Sequence, residues 1–253
     1  MLGENGAGKT TLLHLIAGLL YPTEGECLVN GNSMTRRRPS ELSSVFFLGD
    51  SMPFPAKTIN EMARIHGVFY PRFNPKMLKE NLASFGFTGK ERLDRMSLGN
   101  RHKSQIAYAL ALNVDTLLLD EPANGLDINS KQSLQSMIAH CVGEEQTVII
   151  STHTVADLQN LFDGIIVLSR GHLLLAASTG NITEKVAFVT SPIPEVSPVY
   201  QETRINMFHS ITANDGSSDS DIDYLLLYNA LMKPESRSQL LQLLNNDNNG
   251  HNN

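Results

Sequence analysis

The chain has 253 residues, 41% of them hydrophobic, which suffices for one large or two small domains with a sizeable core. No apolar run approaches a membrane span, residues 1–20 do not form a signal peptide, and Cys27 and Cys141 form no CxxC pair, which fits a reduced, cytosolic setting. The net charge of −6 comes mostly from residues 181–253, so the chain lacks the basic footprint of a nucleic-acid-binding protein.

Alternating helix and strand patterns run along the first two thirds of the chain. A glycine-rich loop is followed by a predicted helix at Thr10–Leu20 and by short strands at Gly25–Gly31 and Ser43–Leu48; residues 55–95 look mainly helical. Further on, the patterns predict helices at 104–113, 131–142 and 155–162, strands at 115–121 and 146–152, and a hairpin at 164–177. This alternation predicts an α/β fold with a mainly parallel sheet.

The pattern changes after residue 183. The stretch "SPIPEVSP" is typical of a linker, and residues 199–211 look like strands. A helix is predicted to begin at Asp221 or Asp223, so the acidic stretch before it is interpreted as a loop with a helix cap. We predict a main domain at 1–183 with a helical subdomain at about 52–97, a small appended α/β domain at 184–245 and a disordered tail at 246–253.

The opening motif, Gly3 to Thr10, fits the phosphate-loop pattern G-x-x-x-x-G-K-[ST]. Glycines let backbone N–H groups surround phosphate oxygens, and the following helix turns its positive end toward the same anion. Lys9 can reach the β- and γ-phosphates, and the Thr10 hydroxyl can bind Mg²⁺. The alternative, a purely structural turn, is disfavoured by the helix that follows.

A second acidic site ends the apolar strand "TLLLDEP". Such a strand delivers Asp120 and Glu121 to the carboxyl edge of the sheet, where ligands bind in open α/β folds. Asp120 can hold Mg²⁺, and Glu121 can orient and deprotonate an attacking water. A solvated strand end is the alternative, which the phosphate loop makes less plausible.

Three further stretches narrow the class of nucleotide-binding protein: "MSLGN" with Ser97 and Gly99, "NGLD" ending at Asp127, and "STH" ending at His153. With the two motifs above, they make residues 1–180 resemble the ATP-binding subunit of an ABC transporter. The resemblance implies ATP hydrolysis with Mg²⁺ as cofactor, by Glu121, His153 and Lys9. It also implies a dimer, in which Ser97, Gly99 and Asp127 of one copy complete the other copy's site.

The resemblance extends to the remaining site residues. It assigns the nucleotide phosphates to Gly3, Asn5, Gly6, Ala7, Gly8, Lys9, Thr10 and Thr11, and the metal to Thr10, Asp120 and Asp50. Asp50 stands where the family has a glutamine, with Gly49 as an alternative register and a plain turn as an alternative role. Leu98 and Asn100 also depart from the family's signature. By the same resemblance, about 25–30 residues, including a strand and an adenine-stacking aromatic, are expected before Met1.

The predicted function is ATP hydrolysis that powers an ABC transporter, of exporter type, through a membrane permease on the inner face of the cell membrane. The permease would dock where aromatics are concentrated, in residues 45–90, although a small helical core would also explain them. The run Arg36–Arg38 is interpreted as a solvated loop, with lipid or an acidic partner as the alternative. Two functions stay open: a non-hydrolysing regulatory subunit, and a soluble ABC ATPase unconnected with transport.

Overall fold

The structure, a computed structural model, describes residues 1–50, 52–155, 158–216 and 220–245. The chain divides into two compact units. The first unit contains Met1 and Gly8–Leu161; the second contains Leu2–Ala7 and the chain from Phe162 onward. The predicted boundary at residue 183 lies further along the chain. The second unit starts earlier because α7 (Thr179–Lys185) packs on both β7 (His172–Ser178) and β8 (Val186–Ser191).

The core of the first unit is a parallel sheet of three strands. Its order is β3 (Val45–Leu48), β4 (Thr116–Asp120) and β5 (Thr147–Ser151), with Asp120 paired to Ser151 at the carboxyl edge. Every residue of β4 is buried, as its unbroken apolar sequence predicts for a central parallel strand. The Met1 nitrogen donates to the Ile150 carbonyl oxygen, and Thr152 N donates to the Met1 oxygen.

The α-helices of the first unit pack on this sheet or on one another. They are α1 (Lys9–Ile16), α2 (Pro39–Leu42), α3 (Ile59–His66), α4 (Pro75–Ser84), α5 (Leu98–Ala111) and α6 (Ile128–Cys141). Thr58 and Asn74 cap α3 and α4 through their side chains, and Pro75 occupies the first position of α4, as proline's fixed φ allows. A small hairpin, β1 (Leu28–Val29) with β2 (Asn32–Ser33), lies between α1 and α2 along the chain.

Aromatic side chains of the first unit pack around Tyr108. Tyr108 is fully buried, and the rings of Phe46, Phe54, His66 and Phe73 lie 5.4–6.3 Å from its ring centre, which supports the helical-core interpretation of these aromatics. The predicted α-helix at 155–162 is wrong in its described part, where Gln159–Leu161 form a 3₁₀ turn. The next strand, β6 (Gly164–Ser169), begins three residues after Leu161; Ala156 and Asp157 lie outside the described residues.

Charged loop residues in the first unit have local partners. Arg37 donates from Nε to the Gly18 carbonyl oxygen at 2.6 Å, and its guanidinium lies 5.1 Å from the centre of the Tyr21 ring. Glu41 accepts a hydrogen bond from the Arg38 backbone N–H at 3.1 Å and so caps α2. Within the arginine run, the Arg37 side chain is therefore held by its own loop.

The second unit begins with an antiparallel hairpin of β6 (Gly164–Ser169) and β7, as predicted. Arg170 and Gly171 both have positive φ angles, the signature of a tight hairpin turn. Leu2 pairs in parallel with Val167, donating to the Ile166 oxygen and accepting from Leu168 N. The Leu2 backbone therefore pairs with one edge of β6, beside the strand.

The rest of the second unit is a second antiparallel sheet with helices. Strands β8, β10 (Met207–Ala213) and β9 (Tyr200–Arg204) lie in that order, followed along the chain by α8 (Tyr224–Met232) and α9 (Pro234–Asn245). Asp223, one of the two predicted starts, caps α8 by accepting from Leu226 N at 2.8 Å. The sequence analysis missed α7 and α9. The predicted tail at 246–253 lies outside the described residues.

Candidate functional site

The phosphate loop occupies the turn into α1. Gly6 and Gly8 have φ angles of 81° and 100°, which a Cβ atom disfavours, and Gly8 stands at the cap position of α1. Gly3 is also required by space, because a Cβ there would lie 2.6 Å from the Leu168 carbonyl oxygen. Lys9 begins the helix and is only 7% exposed. The loop therefore has the backbone conformation that its glycines predict.

Asp120 is held between two hydroxyl groups at the carboxyl edge of the parallel sheet. Thr10 Oγ1 donates to Asp120 Oδ2 at 2.7 Å, and Ser151 Oγ donates to Oδ1. The carboxylate is 8% exposed, so these charge-assisted bonds replace most of its contact with water. The structure thus brings together two of the predicted metal ligands, Thr10 and Asp120. It also shows Ser151 as a second hydrogen-bond donor to Asp120, a contact that the sequence analysis missed.

Glu121 and His153 form a contacting pair beside this cluster. His153 Nδ1 lies 2.9 Å from Glu121 Oε1, and the His153 backbone N–H lies 3.4 Å from Oε2. The Glu121 side chain is 18% exposed and that of His153 is 51% exposed, so the pair faces solvent partly. With a proton on Nδ1, His153 donates to the carboxylate and holds its orientation.

The backbone of Glu121 is unusual. Its φ angle is 52°, in the left-handed region that is costly for a residue with a side chain. Its N–H donates to the Ser151 oxygen at 2.9 Å, continuing the β4–β5 ladder, and its carbonyl oxygen accepts from Asn124 N at 3.0 Å. Such backbone strain, held by surrounding bonds, clusters at functional sites.

Ser97 and Gly99 lie at the start of α5. Ser97 caps this helix by accepting from Asn100 N at 3.3 Å, and a Cβ on Gly99 would lie 3.2 Å from the Gly125 carbonyl oxygen. The helix therefore begins six residues before its predicted start at Ser104. Leu98, the departure from the family's signature, is 61% exposed.

Asp127 caps α6, a role the sequence analysis did not assign to it. Its carboxylate accepts from Ser130 N at 2.9 Å and from Ser130 Oγ at 2.7 Å. The hydrogen bonds from Ser130, chiefly that of its hydroxyl, lower the pKa of Asp127, and the more distant Lys103 ammonium adds to this. The spacing of Asp127 and Ser130 is a capping signal that the sequence already contained.

Asp50 makes no hydrogen bond with Thr10 or Asp120 in the part of the chain that the structure describes. Its Oδ1 accepts from Asn124 Nδ2 at 3.3 Å, and Asp50 itself is exposed. Nearby, the buried Gln105 donates from Nε2 to the Met52 carbonyl oxygen at 2.8 Å, joining α5 to the segment after β3. Gln105 is thus a further polar residue of this region that the motifs did not contain, and Asn124, the first residue of the stretch NGLD, bonds Asp50.

Known proteins resemble this chain in sequence and structure. The family model described as ABC transporter matches residues 1–124. The chain is 34% identical over 192 residues to the ABC transporter ATP-binding protein NatA of Bacillus subtilis (strain 168), covering 73% of this chain and 78% of NatA. It is 30% identical to the Fe(3+) ions import ATP-binding protein FbpC of Escherichia coli (strain K12), covering 74% of this chain and 56% of FbpC.

A solved structure with the same fold is the dimeric bacterial ABC transporter cassette MJ0796, with a TM-score of 0.59 at 23% identity, covering 70% of this chain and 83% of that one. Another structure of MJ0796 holds ADP and Pi in a post-hydrolysis state. The fold and the phosphate-loop site together define a P-loop nucleoside triphosphate hydrolase. Within that class, this chain belongs to the ATP-binding proteins of ABC transporters, and it is an ATPase, as the sequence analysis predicted.

None of the helices in the described ranges, the longest of which has 14 residues, is long and apolar enough to cross a membrane.

Proposed function

We propose that this chain binds the phosphates of ATP along Gly3–Thr11 and hydrolyses the terminal phosphoanhydride bond with Glu121 as general base. The 2.9 Å contact between His153 and Glu121, next to the Thr10–Asp120 hydrogen bond, is the observation that carries the proposal. Backbone N–H groups of the glycine turn and of the α1 terminus suit phosphate oxygens, and Lys9 adds a positive charge. Asn5, Gly6, Ala7, Gly8 and Thr11 belong to this binding segment.

The residues fit a magnesium ion. Thr10 Oγ1 and Asp120 Oδ2 lie 2.7 Å apart, and hydroxyl and carboxylate oxygens are the ligands that this hard cation prefers. When bound, Mg²⁺ neutralises charge on the phosphate oxygens. Asp50 stays a prediction as a third ligand, and its hydrogen bond with Asn124 offers the structural alternative.

The acid–base step belongs to Glu121. Its carboxylate takes a proton from the water that attacks the γ-phosphorus, and the ADP oxygen leaves with the bonding electron pair. His153 keeps the carboxylate oriented through Oε1. Both groups must be present for this step, because a base that rotates freely is out of line with the water for most of the time.

We further propose that two ATP-binding subunits combine and that a membrane permease is their partner, at the cytoplasmic face of the cell membrane. Ser97, Gly99 and Asp127 would then act on the nucleotide held by the other copy. The dimeric MJ0796 structure supports this arrangement by likeness of fold, and the exposure of Leu98 leaves the start of α5 accessible. The exporter-type assignment stays a prediction, since one relative is named an importer.

The decisive experiment compares Glu121→Gln with the wild-type chain in ATP turnover and ATP binding. The substitution keeps size and removes the basic oxygen, so turnover should fall about 10²–10⁴-fold while ATP binding persists. Glu144→Gln, at an exposed glutamate, is the control and should behave as wild type. Undiminished turnover of Glu121→Gln would contradict the base assignment, and a wild-type chain that binds ATP without turnover would favour the regulatory alternative.

Transport is tested separately. Co-expression with the membrane protein of an adjacent reading frame should yield a complex whose ATP turnover responds to reconstitution in vesicles. Full turnover without any membrane partner, together with failure to form such a complex, would favour the soluble ABC ATPase.

A further inference from the structure

His102 is a buried side chain of α5 whose hydrogen bonding is incomplete. It is 3% exposed, and its Nε2 lies 3.2 Å from the Pro122 carbonyl oxygen. Its Nδ1 is buried without a hydrogen-bond partner among the described residues. Burial lowers the pKa of His102, although the Asp50 carboxylate and the Pro122 oxygen oppose this shift.

The tautomer of His102 follows from its partner. A carbonyl oxygen can only accept, so a neutral imidazole bonded to Pro122 carries its proton on Nε2 and leaves Nδ1 as a bare acceptor. The side chain is therefore committed to one donated hydrogen bond.

That hydrogen bond holds the residue next to the proposed base. Pro122 follows Glu121 directly and has no N–H, so its carbonyl oxygen is its only backbone hydrogen-bonding group. Glu121 has the costly φ angle of 52°, which persists only when surrounding contacts determine it. The bond from His102 is one of these contacts, together with those to Ser151 and from Asn124.

Three residues of α5 contact the part of the chain that follows β4, up to the first turn of α6. Gly99 approaches the Gly125 carbonyl oxygen, His102 bonds Pro122, and Lys103 Nζ donates to Ser130 Oγ at 3.1 Å. Among these contacts, that of His102 lies nearest to Glu121 in the chain. A displacement of α5 therefore acts on the backbone of Glu121 through His102.

We infer that His102 is a positioning residue for ATP hydrolysis, whose Nε2–H fixes Pro122 and thereby joins the orientation of Glu121 to α5, the helix that Ser97 caps. This inference rests on the proposed role of Glu121.

The test uses the full chain and two substitutions of matched volume. His102→Leu removes the donor, and His102→Gln keeps an N–H donor on a side chain long enough to reach Pro122. The leucine variant should lose about 10- to 100-fold in kcat, the range expected when a reacting group is misplaced by about 1 Å, with ATP affinity unchanged. The glutamine variant should recover most of this loss.

Asn81→Leu is the structural control. Asn81 is buried like His102 and donates to a backbone oxygen of the same helix, that of Ala107, at 3.4 Å. Its replacement should lower Tm without changing kcat. If His102→Leu lowers Tm alone, as this control does, or if glutamine fails to restore kcat, the inference is wrong.

A double substitution separates this inference from the proposed function. In a Glu121→Gln background, His102→Leu should cause no further loss of kcat, because both changes act on one group. Independent, multiplying losses would overturn the positioning role while leaving Glu121 as the base. Normal turnover of Glu121→Gln alone would instead refute the proposed function.

If His102→Leu does not fold, His102→Asn, whose shorter side chain stops short of Pro122, takes its place with the same expected loss.

Discussion

Ser151→Ala should destabilise the nucleotide-free protein through a single buried contact. Ser151 is fully buried and donates from Oγ to Asp120 Oδ1. Its removal leaves Asp120, which is 8% exposed, with one hydroxyl donor from Thr10 in place of two. A hydrogen bond to a charged group contributes about 1.5–3 kcal/mol, and the buried carboxylate has little water to replace it.

The loss is measurable by thermal unfolding followed by circular dichroism. For a chain of this size, about 1.5–3 kcal/mol corresponds to a fall in Tm of roughly 3–12 °C. The control is Ser133→Ala, which removes an exposed hydroxyl bonded to the Asn129 oxygen and should change stability by less than about 0.5 kcal/mol. Equal Tm values for the two variants would refute the reasoning, because they would show that Asp120 does not depend on Ser151.

The other predictions concern ATP binding, the composite site and pH. Lys9→Ala should remove most ATP affinity in calorimetry, whereas Lys79→Ala, at an exposed lysine, should keep it. Lys9→Ala mixed with Ser97→Arg should regain activity, because one site of each mixed dimer is intact; confirmed mixed dimers without activity would contradict composite sites. Burial lowers the pKa of His66, which bonds the Tyr108 hydroxyl, so the unfolded chain binds more protons and Tm should fall as pH drops below about 6.5. His66→Gln should weaken this pH dependence, and an unchanged slope would assign it to other groups.

Sequence patterns predicted the elements whose signal is continuous. The apolar runs of β3, β4 and β5 and the turn at Arg170–Gly171 appear where expected, because buried parallel strands and tight hairpins constrain residue type strongly. α7 was missed because its sequence is mostly polar. α9 was missed although Leu240 and Leu244, four residues apart, mark a buried face, because its first six residues are polar or proline. The start of α5 was placed late for the same reason: the polar run from Asn100 to Ser104 hides a helix that Ser97 caps.

The motifs predicted which residues form the candidate site but not what holds them. The pairing of Asp120 with Ser151 follows from the β4–β5 register, which a single sequence does not state. The contact of His102 with Pro122 depends on how α5 packs, and no local pattern encodes that packing. Helix capping by Asp127, in contrast, could be predicted from its spacing to Ser130, because an aspartate at a helix start accepts from the N–H three residues on.

Gly99 and Leu98, two neighbouring signature positions at the start of α5, differ in what they require of the chain. Gly99 is constrained by its own fold, because a Cβ there would crowd the Gly125 carbonyl oxygen at 3.2 Å. Leu98 stands at the first helical position with 61% of its surface exposed, so the fold of this chain tolerates any ordinary side chain there. The chain therefore has glycine at position 99, where the contact with Gly125 leaves little room for a side chain. Having leucine at position 98 therefore changes the surface that another molecule would contact at the start of α5, and not the packing of this chain.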